Sequence, residues 1–150
     1  MSARIRIGLI AAVISLVLTV CVATAVGICG PAVSLIAGAL AAYFVVKQEA
    51  PATQSEGGKA GAIAGAIAGA GGVIGQIIGG ILTLTLLPSI MESMGNYSYS
   101  NVSGDAAYWL GGAGTAFCFG IVGVVLAAIA GYAVGYFTSA NKPPVAPVAQ

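Results

Sequence analysis

Long apolar runs separated by short polar stretches set the rhythm of this chain. The runs extend over residues 7–26, 32–46, 60–87 and 110–137. Lys47, Glu49, Pro51, Glu56 and Lys59 fall together in the polar segment 47–59, between the second and third runs. Residues 88–107 form a longer polar segment that opens on Pro88, and the tail 141–150 carries Pro143, Pro144 and Pro147 and reads as extended. A helix crossing the hydrocarbon core needs about 20 apolar residues, which the runs approach or exceed. One continuous helix over 7–46 would be about 60 Å long, about twice that thickness. Gly27, Cys29, Gly30 and Pro31 interrupt it, so this stretch predicts two helices joined by a tight turn. At about 42 Å the third run must tilt or project into the headgroups. The predicted fold is an all-α integral membrane protein, one membrane domain over 1–150 with four transmembrane helices arranged as two hairpins.

Composition sharpens the class. The chain is 59% hydrophobic and only 6% charged, with mean hydropathy +1.02, whereas a soluble domain needs several times more charge to cover its surface. A net charge of +1 offers no electrostatic footprint for nucleic acid. Histidine is absent, which removes the commonest metal ligand and general base. No cofactor, metal or catalytic residue is expected. Cys21, Cys29 and Cys118 are an odd set that gives no disulfide framework and reads as small buried side chains. A Cys29–Cys118 bridge is compatible with the layout, because both fall in its outer half. Arg4 and Arg6 ahead of an apolar run, and Cys21 after Leu18-Thr19-Val20, resemble a signal sequence; the segment reads as a retained first span.

Charge and aromatic placement give an orientation. Arg4, Arg6, Lys47, Lys59 and Lys142 fall on one side of the four-span layout, and Glu92 and Asp105 on the other. The positive-inside rule then puts both termini and 47–59 in the cytoplasm and 88–107 outside. Tyr43, Phe44, Tyr136 and Phe137 mark the inner interface; Tyr97, Tyr99, Tyr108 and Trp109 mark the outer. Asn96-Tyr97-Ser98 and Asn101-Val102-Ser103 are glycosylation-type triplets in the outer segment, which also reads as a docking surface.

Small residues dominate the third run. Gly57, Gly61, Gly65 and Gly69 are spaced four apart, and Gly72, Gly75 and Gly79 continue the ladder. In water each interior glycine would cost about 1 kcal/mol relative to alanine. In lipid, small residues four apart let two helices approach closely. Gly61 to Gly79 are expected to share one face, with Ile63, Ile67, Ile74, Ile78 and Ile81 mostly on the other. The fourth run has its own small set in Gly112, Ala116, Gly120, Gly123, Ala127, Gly131 and Gly135, and is the expected intrachain partner. A second glycine face would remain for another subunit or copy. Gln76 is the strongly polar residue deep in a span, expected in an interhelical hydrogen bond of about 0.6–2 kcal/mol. Thr83, Thr85, Thr115, Ser15 and Thr19 can bond to their own helices. An internal duplication is also expected, since Gly27-Ile28-Cys29-Gly30, Ile36-Ala37-Gly38 and Tyr43-Phe44 match Gly120-Ile121-Val122-Gly123, Ile129-Ala130-Gly131 and Tyr136-Phe137 at one offset.

Glycines laddered over Gly61–Gly79 in a duplicated four-span chain resemble the proteolipid subunits of rotary ATPases. That resemblance implies a carboxylate near mid-membrane. Here Glu49, Glu56, Glu92 and Asp105 all lie in loops or at interfaces, so ion carriage of that kind is disfavoured. The glycine run also lacks the Lys-Ser/Thr ending of a phosphate loop. The expected function is a non-catalytic structural or accessory subunit of a larger membrane complex, with lipids and other subunits, or copies of itself, as partners. The alternative is a homo-oligomeric pore for ions or small solutes, with Gln76 and the threonines lining a path.

Overall fold

A computed structural model describes residues 3–25, 30–93 and 106–140. It holds four helices, α1 (Ala3–Ala25), α2 (Gly30–Glu49), α3 (Gln54–Ser93) and α4 (Ala106–Ala140), and no strand among the described residues. All four are long and apolar enough to cross a membrane. Residues 26–29, 94–105 and 141–150 lie outside the described residues, and with them Cys29, Asp105, Lys142, Tyr97, Tyr99 and both glycosylation-type triplets.

Each helix is longer than its apolar run, and the ends show why. Thr53 caps α3: its Oγ1 accepts from the Glu56 backbone N–H at 3.2 Å, and its carbonyl accepts from Gly57 at 3.0 Å. Thr53 and Glu56 have the spacing of a capping box, so α3 begins inside the polar segment at Gln54. Gly30 and Pro31, expected in a turn, are the first residues of α2. Proline is at home there, because its missing N–H and fixed φ suit the first helical turn. At the other end of α2, Ala50 adopts φ 46 and donates to the Val46 carbonyl at 3.1 Å, and Pro51 then stops the helix.

Pro88 does not end the third helix, contrary to the expected boundary; α3 continues to Ser93. A proline within a helix lacks the N–H that would bond the carbonyl four residues earlier, here Leu84. Tyr108 supplies a substitute donor from α4, its hydroxyl donating to the Leu84 carbonyl at 3.4 Å. The interhelical contact thus offsets part of the lost helical bond.

Helix directions follow from which residues meet. Gly57, Gly61 and Gly65 of α3 lie against Gly135, Gly131 and Ala127 of α4, so these helices are antiparallel. Ile67, Gly71 and Gly75 lie against Gly8, Ala12 and Leu16 of α1, so α1 and α3 are parallel. Ser34 and Gly38 of α2 meet Gly123 and Ala127, which makes α2 and α4 parallel as well. α2 and α3 each touch all three other helices, whereas α1 and α4 do not meet among the described residues. At one end of the bundle Glu49 accepts from the Arg4 backbone N–H at 3.2 Å and from its Nε at 2.6 Å, tying α2 to the start of α1.

Side-chain size sorts inside from outside. The largest fully buried side chains are only Val45, Val46, Thr19, Ser15 and Ser34. A cluster of Ala41, Val45, Ala60, Ala64 and Ala68 makes the apolar core. The exposed surface carries Leu9, Ile10, Val13, Ile14 and Val17 on α1 and Ile121, Val125 and Ile129 on α4. In lipid there is no hydrophobic drive to bury such side chains, so small residues hold the interior and the large ones face outward.

Ala50 holds a left-handed conformation that costs a residue with a Cβ roughly 1–2 kcal/mol. Ala50→Gly is therefore expected to stabilise the protein by about 1 kcal/mol, read as a raised melting temperature in detergent.

Candidate functional site

The central feature is the helix-packing face of α3. Gly57, Gly61, Gly65, Gly69, Gly72, Gly75 and Gly79 are all buried. A Cβ added at Gly61 would overlap the Gly131 carbonyl oxygen, and one at Gly131 would overlap that of Gly61. Gly57 and Gly135 stand in the same reciprocal relation, and a Cβ on Gly135 would sit 3.3 Å from the Gly61 Cα. Gly65 opposes the Ala127 carbonyl; Gly69 opposes the Val124 Cα, and Gly120 the Val73 Cα. The two backbones touch without intervening side chains, which adds dispersion and weak Cα–H···O contacts.

The ladder does not keep to one neighbour. Each four-residue step advances the row by about 40° and each three-residue step, at Gly69–Gly72 and Gly72–Gly75, returns it by about 60°, so the ladder stays on one broad face and its neighbours change along the length of α3. Gly57 to Gly69 meet α4, Gly72 lies under Ser34 of α2, and Gly75 meets Leu16 and Thr19 of α1. Gly71 opposes the Ala12 carbonyl. The α3 glycines beyond Gly69 are thus covered by α1 and α2 within the same chain. Sequence reading missed Gly8, Gly38 and Gly58 as packing positions: Gly8 meets Ile67, Gly38 meets the Ala127 backbone, and Gly58 lies under the Tyr132 ring. The signal for Gly38 was present, since Gly30, Ser34, Gly38 and Ala42 make a four-residue ladder of small residues on α2, all buried.

Gln76 joins a polar cluster at the junction of α1, α2 and α3. Ser15, Thr19, Ser34 and Gln76 are the buried polar residues among those described, at 0%, 0%, 2% and 3% exposure. The Gln76 amide packs over Gly30, and a Cβ there would overlap its Nε2. A Cβ on Gly72 would come close to Ser34 Oγ and lie 3.4 Å from Ser15 Oγ; one on Gly75 would lie 2.9 Å from the Thr19 Cβ. Ser15 Oγ, Thr19 Oγ1 and Gln76 Nε2 have no hydrogen-bond partner among the described residues. The Gln76 amide nitrogen thus makes no interhelical bond among the described residues. Ser15 and Thr19 likewise do not bond to their own helix, leaving three polar groups that low-dielectric surroundings make costly.

The other polar residues lie elsewhere. Thr83, Thr85 and Thr115 donate back to Gly79, Ile81 and Gly111 at 2.8, 3.0 and 2.8 Å. Glu49 is paired with Arg4 and Glu56 sits exposed in the first turn of α3. Cys118 is a free, exposed thiol on α4 rather than a buried one. No group of three or more His, Cys, Asp or Glu able to hold a metal occurs among the described residues.

Outward on α4, Gly111 and Gly114 have nothing within 4 Å of where a Cβ would be. With Thr115, Cys118 and Val122 they line an open groove of about 460 Å³. No protein family, curated protein or solved structure matches this chain.

Two outcomes test this site. Gly131→Ala places a methyl on the Gly61 carbonyl, so it should destabilise the bundle by about 1–3 kcal/mol; Gly114→Ala, in open space, should be neutral or stabilising, both read by thermal denaturation. Gln76→Met removes an unpaired amide at nearly constant length, so stability should hold or rise by about 1–2 kcal/mol. A marked loss in that variant would mean that the amide is hydrogen-bonded in the membrane.

Proposed function

We propose that this chain is a non-catalytic structural subunit of a larger membrane protein assembly. The observation that carries this reading is the groove on α4. Gly111, Gly114, Thr115 and Cys118, flanked by Leu110, Phe119 and Val122, recur at helical spacing on an outward side that the chain's own helices leave uncovered. A stripe of small side chains is what another helix needs to approach closely in lipid. The ladder of α3 serves a different end: it fixes the bundle internally, so that α4 can present its outer face rigidly. Both termini are placed in the cytoplasm, from the lysine and arginine distribution.

We read the bundle further as two duplicated hairpins. The buried stripe of α2, Gly30, Ser34, Gly38 and Ala42, maps at a constant offset onto Gly123, Ala127, Gly131 and Gly135 of α4, all buried. The parallel pairs α1/α3 and α2/α4 support the same reading.

The alternative remains a homo-oligomeric pore, and the buried Ser15, Thr19 and Gln76 are the observation in its favour. Native mass spectrometry of the tagged chain, extracted gently from its own membrane, separates the two. Masses containing other polypeptides, lost in Gly114→Leu while the chain stays folded, are expected for the subunit. A mass that is an integer multiple of this chain alone would overturn that reading, and solute flux abolished by Gln76→Leu would establish the pore.

A further inference from the structure

The loosest seam of the bundle runs between α1 and α2. It opens to a groove of about 160 Å³ lined by Ile7, Ile10, Ala11, Ile14, Ala37 and Phe44, among others, all apolar. From Ile7 to Ile14 the groove is about 10 Å long, roughly a third of the hydrocarbon thickness. It lies toward the end of the bundle where Arg4 pairs with Glu49.

That end of the groove is basic. Arg6 precedes Ile10 by four residues, so it continues the groove-lining row of α1 one turn toward the Arg4 end. Lys47 follows Phe44 by three and continues the α2 row in the same direction. Both side chains are exposed. Lys47 is held in place, with its Nζ 4.7 Å from the centroid of the Tyr43 ring. That ring in turn packs edge-on against Phe44 at 5.7 Å. Glu49, the acidic residue closest in sequence to Lys47, is already occupied by Arg4, whose Nε lies 2.6 Å from its carboxylate.

We propose that the α1/α2 groove binds an anionic phospholipid. One acyl chain lies along Ile7, Ile10, Ile14 and Phe44, and the phosphate sits between Arg6 and Lys47. The groove takes the stretch of chain next to the headgroup, and the two cations stand where that headgroup lies. A zwitterionic lipid would bring its own cation toward the same pair and lose most of the attraction. This inference rests on the helices crossing a membrane and is independent of the subunit reading.

The test is native mass spectrometry of the full chain released from vesicles of equal phosphatidylglycerol and phosphatidylcholine. The wild type is expected to retain a phosphatidylglycerol adduct in preference to phosphatidylcholine. Arg6→Gln with Lys47→Gln should reduce that preference by about an order of magnitude. The charge-keeping pair Arg6→Lys with Lys47→Arg should preserve it. Ala37→Phe, which fills the groove and leaves both cations, should remove the adduct, with a thermal melt confirming a folded bundle. Equal retention of the two lipids, or a preference unchanged by either the glutamine pair or Ala37→Phe, would overturn the proposal. A protein occupying the groove in place of lipid would overturn it too. None of these outcomes depends on whether Gly114→Leu releases partner subunits.

Discussion

Backbone-to-backbone contact between α3 and α4 is the constraint from which the rest of the bundle follows. Gly61 and Gly131 each occupy the place where the other's side chain would stand, and Gly57 and Gly135 repeat the arrangement. Lipid provides no hydrophobic force to press helices together, so contact area and close approach must supply the cohesion. Glycine permits that approach, and the helix keeps its form because the hydrocarbon interior offers the backbone no competing partner. The arrangement is therefore strict at those positions and tolerant at the outer face, where Ile and Val of many shapes would serve.

The length of α3 distributes this cohesion. The same row of glycines that meets α4 at Gly57–Gly69 reaches α2 at Gly72 and α1 at Gly75. One helix thereby organises three neighbours, and α1 and α4 need not touch. The junction where the row passes between neighbours is where the unpaired hydroxyls of Ser15 and Thr19 and the Gln76 amide collect. Tight packing along α3 is matched by an open seam between α1 and α2, near the end where Arg4 pairs with Glu49. Compact and open regions thus arise from one distribution of small side chains.

Much of the architecture was legible from local chemistry. The four helices could be read from run length because a helix is the way a single apolar segment satisfies its backbone in lipid. Their ends were less legible. Pro88 looked like a terminus, yet α3 continues, with Tyr108 donating to the Leu84 carbonyl that the proline leaves without its helical donor. That partner lies on another helix, beyond the reach of local pattern. The Thr53–Glu56 cap, by contrast, is a local signature that polar composition alone obscured.

The sequence by itself determined the class, the helices and the residues that can pack closely, because length, apolarity and the absence of side chains are local properties. It also determined the alternation of basic and acidic segments. Only the tertiary structure decided which helix each glycine meets, that Gly71 and Gly75 of α3 are covered by α1, and that Gln76 faces Gly30 without a partner for its amide nitrogen among the described residues. It likewise decided that the uncovered small stripe lies on α4 at Gly111 and Gly114. The physical reason is that a row spaced four apart specifies a surface on one helix but not its neighbour. The neighbour depends on crossing angle and register, which emerge only when the helices are packed together.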